Sequence, residues 1–201
     1  MPDKNPVWDV TTREGREEML GQRGLVVWLY GLSGAGKSTL ALSLARHLAP
    51  EGIFTRILDG DELRTGLNSN LGFDDASRAE NIRRAAEVAK ILKESGVVTI
   101  AAFICPARAM REKAREIVGA EDFVEVYVKA SYEACARRDV KGLYAKAERG
   151  EIAQFTGRDS AFEEPLPGSD ALVIDTERHG IAHCTDRILE RILPIIRHAQ
   201  A

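Results

Sequence analysis

A three-layer α/β/α fold around a central, mainly parallel sheet is the architecture this sequence predicts. Short, continuously apolar runs alternate along the chain with segments of helical periodicity, the pattern of strands buried on both faces and joined by right-handed crossovers. A glycine-rich stretch follows the first apolar run at once and opens a helix. With 201 residues, 44% of them hydrophobic, the chain has material for one ordinary core and little for a second.

Taken in order, residues 1–24 are polar and charged, and the segment TTREGREEMLGQRG predicts a short helix ending in glycine. They form an arm expected to pack on a single domain, residues 25–201. Leu25 to Tyr30 is the first buried strand, and Thr39 to Leu48 carries the first helical pattern beyond the glycines. Thr55 to Leu58 is a second short strand that ends at the acidic cluster Asp59-Gly-Asp61. Ser77-Arg-Ala-Glu80 has the form of a capping box, with Ile82, Ala85, Ala86, Ala89 and Leu92 following at helical spacing and Gly96 as the stop. Val97 to Ile104 is a third buried strand, Ala107 to Val118 a helix, and Phe123 to Val128 a fourth strand. From Asp139 to Gly168 periodicity gives way to Gly, Pro and charge, with Lys141, Lys146, Arg149 and Arg158 among them. A stretch of this length without periodicity predicts a mobile functional lid, set at about 137–159. Leu172 to Ile174 restores a strand, and Ile181 to His198 forms a closing helix in which Pro194 should introduce a kink.

Charge and cysteine usage exclude several classes. The net charge of −3 is near neutral and no Lys/Arg block forms a stripe, so nucleic acid is not an expected partner. Cys105, Cys135 and Cys184 are widely spaced and form no CxxC pair, which suits free thiols in a reducing compartment. Without an apolar signal core or a run of about 18 apolar residues, neither secretion nor a membrane span is expected, and the chain reads as cytoplasmic. His179 and His183, four apart, have the spacing of a metal pair but no evident third ligand. They read as surface residues, as do His47 and His198.

The chemistry is carried by Gly31-Leu-Ser-Gly-Ala-Gly-Lys-Ser38, which fits G-x-x-x-x-G-K-[ST] directly after a buried strand and before a helix. Glycines let the backbone curl round a phosphate without Cβ clashes, so that successive N–H groups and the helix N-terminus point at the anion. Lys37 is placed to reach the β- and γ-phosphates and the Ser38 hydroxyl to ligate Mg²⁺. The fold class is therefore that of the P-loop NTPases. A GTPase would need an Asn-Lys-x-Asp segment, and none exists; Asp139-Val-Lys-Gly142 matches D-x-x-G only loosely. A motor or transport ATPase would close a later strand with an acidic residue, whereas the third strand here runs into Cys105-Pro106. A short chain with an early acidic pair and a late basic stretch points to a small-molecule kinase.

Further segments carry a family resemblance. Leu58-Asp-Gly-Asp61 with Arg64, Leu71-Gly-Phe73, Arg78-Ala-Glu-Asn-Ile-Arg-Arg84, Asp139-Val-Lys-Gly-Leu-Tyr144 and Phe155-Thr-Gly157 follow the phosphate loop in the order found in adenylyl-sulfate kinases. The arm, with Trp8, Thr12-Arg13 and Gly21-Gln-Arg-Gly24, is similar as well. The resemblance runs over nearly the whole chain. It implies transfer of the γ-phosphoryl of MgATP to the 3′-hydroxyl of adenylyl sulfate, with Asp61 as general base beside the catalytic Lys37. It implies ATP along Gly31, Leu32, Ser33, Gly34, Ala35, Gly36, Lys37, Ser38 and Thr39, with Arg137 on the donor side. Arg64, Arg78 and Asn81 would hold the phosphosulfate and ribose of the acceptor, and Phe73 and Phe155 would sandwich its adenine. Ile104, Cys105, Lys141 and Gly157 complete the acceptor set. A homodimer and functional coupling to ATP sulfurylase are also implied. One departure stands out: the family commonly reads Ile-Ser-Pro, with the serine proposed to carry a phosphoryl intermediate, where this chain has Ile104-Cys105-Pro106. Two other readings stay open on the residues alone, a kinase of another small metabolite such as a nucleoside or sugar acid, and a catalytically silent nucleotide-binding module.

Overall fold

The computed structural model describes residues 8–152 and 155–197. The first seven residues of the arm, two residues of the lid stretch and His198 lie outside them. Among the described residues five strands form one sheet, every pairing parallel: β1 (Leu25–Tyr30), β2 (Thr55–Asp59), β3 (Val98–Phe103), β4 (Phe123–Lys129) and β5 (Leu172–Asp175), in the order β2-β3-β1-β4-β5. The helices are α1 (Arg13–Leu20), α2 (Lys37–Leu48), α3 (Gly60–Thr65), α4 (Asp75–Glu94), α5 (Arg108–Val118), α6 (Tyr132–Arg138), α7 (Leu143–Glu148) and α8 (Ile181–Arg197). None of them is long and apolar enough to cross a membrane.

Strand β1 is buried along its whole length because its alternate side chains feed two cores. Leu25, Val27 and Leu29 pack with Leu40 and Leu44 of α2 and Ile188, Ile192 and Ile196 of α8. Val26, Trp28 and Tyr30 pack on the other face with Ile82, Ala85 and Ala89 of α4 and Ala114 and Val118 of α5. Period-two alternation thus has an apolar residue at every position, which is why the strand reads as a continuous run.

Three local expectations are corrected. The capping box at Ser77 is displaced by one turn: α4 starts at Asp75, and Asp74 caps it by accepting hydrogen bonds from Ser77 N (2.9 Å) and Ser77 Oγ (2.6 Å). Glu80 is left to pair with Arg83 and Arg84. The stretch after Asp139 is not structureless, since α7 lies within it and buries Tyr144 and Ala147. Six residues are too few for a 3.6-residue period to show, which also hid α3 and most of α6. Helix α8 continues through Pro194 as one element.

At the amino-terminal edge of the sheet the arm is held by a buried carboxylate. Asp122, fully buried, accepts from Arg13 (2.6 Å), Arg23 (2.8 Å) and Lys93 (3.1 Å). Burial alone would push its carboxyl upward, but the hydrogen bonds from Arg13, Lys93 and Arg23 outweigh it and bring the group to about 2. A carboxylate depressed in the folded state contributes stability above its unfolded value of about 3.9 and loses it as pH falls through the folded one. The network therefore weakens from about pH 4 down through about pH 2. Asp122→Asn leaves the cations facing a neutral amide at every pH, and a loss of about 3 kcal/mol at neutral pH is expected from denaturant unfolding. The gap between variant and wild type should close on acidification.

Candidate active site

The phosphate loop is shaped by close backbone approaches. A Cβ on Gly31 would lie 2.3 Å from the Val128 carbonyl oxygen, and Gly36, the residue before α2, sits at φ 103°, where a side chain is strained. Lys37 opens α2 and folds back over the loop, its Nζ donating to the carbonyls of Gly31 (2.9 Å) and Leu32 (2.7 Å). Burial, and after it the positive charge of Lys141, bring the Lys37 ammonium down to about 8. Ser38 Oγ donates to Asp59 Oδ2 at 2.6 Å, while Asp59 Oδ1 caps α3 by accepting from Asp61 N. A hydroxyl and a carboxylate side by side at the mouth of the loop are hard oxygen donors of the kind Mg²⁺ takes, with phosphate and water oxygens completing its shell.

The loops at the carboxyl ends of β1, β2 and β3 open into one cleft of about 800 Å³, the position where parallel α/β sheets collect ligands. Ser33 to Thr39 form one side; Asp61, Arg64, Phe73, Arg78, Asn81, Ile104, Cys105, Lys141 and Phe155 line the rest. Asp61 is exposed and ion-paired with Lys141. The Arg64 guanidinium lies 4.4 Å above the Phe73 ring and donates to the carbonyls of Leu71 and Gly72. Arg78 Nε donates to the Phe73 carbonyl at 2.6 Å and Nη1 to Thr156 Oγ1. Burial lowers the pKa of Arg64, and the charge of Arg78 lowers it further. Cations that repel across a cleft are arranged for an anion between them.

The two phenylalanines differ in kind. Phe73 is 63% exposed, whereas Phe155 is buried and packs edge-on against Tyr144, ring centroids 4.8 Å apart. Four sequence-predicted residues fall outside the cleft lining, Gly157, Arg137, Gly31 and Leu32. Gly157 lies in a smaller depression against Leu32 and Tyr132, at φ 91°. Arg137 is exposed away from the cleft, and its neighbour Arg138 turns in instead, donating to Gly34 O (3.2 Å) and Thr176 O (2.7 Å). The reason is register: Ser131 caps α6, and the helix start decides which of two adjacent arginines faces the loop. Gly31 and Leu32 lie behind the lining and meet Lys37 through their carbonyls.

Sequence reasoning assigned no site role to four residues that touch the loop: Asp59, Arg138, Tyr144, whose hydroxyl donates to Ser33 O (2.7 Å), and Thr176, which donates to Ala35 O (2.8 Å). Asp59 and Tyr144 carried a signal, the first in the acidic pair ending a strand beside the phosphate loop and the second in the Asp139–Tyr144 segment of the family resemblance. His179 and His183 are exposed, their ring centroids 4.5 Å apart, and His179 lines the cleft. Among the described residues no group of three or more His, Cys, Asp and Glu could hold a metal ion.

Cys105 is buried at φ 44°, with its carbonyl accepting from Arg111 Nη1 (3.0 Å). Burial pushes its thiol up to about 12, so it is no thiolate at neutral pH. Cys105→Ala and Cys105→Ser are expected to retain turnover, and γ-labelled ATP supplied without acceptor should leave no label on the protein. A label that chases into product would contradict this.

A loop built for a polyphosphate thus faces paired guanidinia across a single cleft, and fold and site together define a nucleotide-dependent phosphotransferase of the phosphate-loop class. Residues 23–174 match the family profile of adenylylsulphate kinase. The adenylyl-sulfate kinase of Bacteroides thetaiotaomicron is 50% identical over 200 residues, covering 98% of this chain and 98% of the relative. That of Aeromonas salmonicida is 54% identical over 163 residues, 80% of this chain and 83% of its own. Among solved structures, the Mycobacterium tuberculosis APS kinase in complex with AMPPNP and APS is similar with a TM-score of 0.80 at 41% identity, covering 85% of this chain and 98% of that one. The chain belongs to the adenylyl-sulfate kinase family, and it is a kinase that transfers phosphate to a hydroxyl group.

Proposed function

We propose that the chain phosphorylates the 3′-hydroxyl of adenylyl sulfate with the γ-phosphoryl of ATP, giving 3′-phosphoadenylyl sulfate and ADP. The observation that carries this reading is the single cleft in which Lys37 and Ser38 face Asp61, Arg64 and Arg78. The donor's phosphates lie along residues 31–39 and the acceptor across Asp61, Arg64, Phe73, Arg78 and Asn81. Asp61 takes or orients the proton of the attacking hydroxyl. Lys37 leaves its two carbonyls for the phosphates, and Ser38 and Asp59 would hold Mg²⁺, which would supply neutralisation of charge on the transferred group. The lid, about 137–159, covers both nucleotides, with Arg138 on the donor side and Lys141 toward the acceptor, so that water is kept from the γ-phosphoryl. The same reading makes the enzyme cytoplasmic and homodimeric, works it together with an ATP sulfurylase, and places it in sulfate assimilation.

The test is ADP release with MgATP and each of adenylyl sulfate, adenosine and gluconate. Adenylyl sulfate should be preferred in kcat/KM by on the order of 10³-fold or more, since only it brings both a phosphosulfate for the guanidinium forks of Arg64 and Arg78 and an adenine for Phe73. Comparable rates on adenosine or gluconate would move the assignment to another small-metabolite kinase.

A further inference from the structure

Between α3 and α4 lies a buried amide that the reaction as described does not use. Asn68 is fully buried and its Nδ2 donates to Asn81 Oδ1 at 2.9 Å. Its backbone is fixed as well: Asn68 N donates to Leu63 O (2.8 Å), and Asn68 O accepts from Leu71 N (3.1 Å). Arg84 of α4 fastens the same turn by donating to Leu67 O (3.1 Å) and Asn70 Oδ1 (2.9 Å). The turn is therefore tied to α4, and Asn68 is held in place against Asn81. Asn68 Oδ1 is buried without a hydrogen-bond partner. This orientation leaves the orphan atom an acceptor, which proteins tolerate more readily than an orphan N–H.

An asparagine amide has two ends that differ in sign, and rotation by half a turn exchanges them. Asn81 is itself 6% exposed and lines the cleft on the same helix as Arg78. With its oxygen taken by Asn68, the group it offers to the cleft is Nδ2, a donor only. Exchanged, it would offer a carbonyl oxygen to an anionic ligand. We propose that Asn68 is a positioning residue for the acceptor: it occupies the Asn81 carbonyl and so fixes the Asn81 amide with its N–H₂ toward the acceptor's oxygens. The inference rests on the reading that the acceptor lies on this side of the cleft.

The experiment is steady-state kinetics on the full chain, varying adenylyl sulfate and ATP separately. Asn68→Ala frees the Asn81 amide to rotate and should raise the acceptor KM about tenfold while leaving the ATP KM unchanged. A residue acting only through Asn81 has nothing further to lose once Asn81 is gone, so Asn68→Ala added to Asn81→Ala should raise the acceptor KM no further. Asn81→Asp needs no change at Asn68. It keeps an oxygen toward Asn68 and turns a second oxygen to the cleft, so its acceptor KM should exceed that of Asn81→Ala. An Asn68→Ala effect of equal size in both backgrounds, equal weakening of both substrates, or an Asn81→Asp variant no worse than Asn81→Ala overturns the proposal. Where Asn68→Ala does not fold, Asn68→Asp decides it: of similar size but able only to accept, it turns the Asn81 N–H₂ away from the cleft and should raise the acceptor KM about tenfold with the ATP KM unchanged, and an unchanged acceptor KM overturns the proposal. No turnover of adenylyl sulfate by the unaltered enzyme would instead overturn the assignment of the acceptor.

Discussion

Lys37→Ala is expected to lower kcat/KM by about 10³-fold or more, the range for deleting a preorganised charge that meets the transferring group. The fold should survive, because Lys37 touches loop carbonyls and is not part of either apolar cluster. Its burial even costs stability at neutral pH. A lysine held down to about 8 when folded binds fewer protons than the unfolded chain between about 8 and the ordinary lysine value of 10.5, so stability rises with pH through that window. Wild type should gain stability from pH 8 to 10 relative to Lys37→Ala, read as converging or crossing denaturation midpoints. Turnover near the wild-type value by the variant would remove the phosphate loop from the mechanism.

Asp61→Asn should lower kcat at saturating substrates by on the order of 10²-fold or more, as for loss of a general base, since the amide keeps the shape and accepting oxygen but has no basicity. Stability should hardly change, because the partner Lys141 is about half exposed and such pairs contribute about 0–1 kcal/mol. An intact kcat with a raised acceptor KM would make Asp61 a binding residue and leave the proton to another group.

Why the phosphate loop and the central strands were legible is clear from β1 and β3. Each is buried at every position, and Thr99 of β3 is the one hydroxyl-bearing aliphatic side chain in either run, too little to blur it. The loop's glycines are required by backbone contacts such as Gly31 against Val128, which no other residue type can make. Legibility failed where the apolar pattern leaves a helix start open. Asp74 and Ser77 are both good caps three apart, and the spacing of Ile82 and Ala85 is the same whichever of them starts α4. Arg137 and Arg138 are likewise indistinguishable until Ser131 sets the phase of α6. Partners distant in the chain were hidden for a different reason. Asp122 meets Arg13 across 109 residues and Thr176 meets Ala35 across 141, with no periodicity to announce either.

The bond between Lys141 and Asp61 joins the stretch expected to close over the cleft to the group expected to take the proton, and its weakness matters as much as its position. At about 0–1 kcal/mol the pair holds the two ends together by a factor of about five at most, so thermal motion parts them freely. The carboxylate is thus covered only part of the time and is released without help from ATP binding. Ionic strength biases the balance: added salt favours the parted pair and dilute buffer the joined one, each within that same small factor.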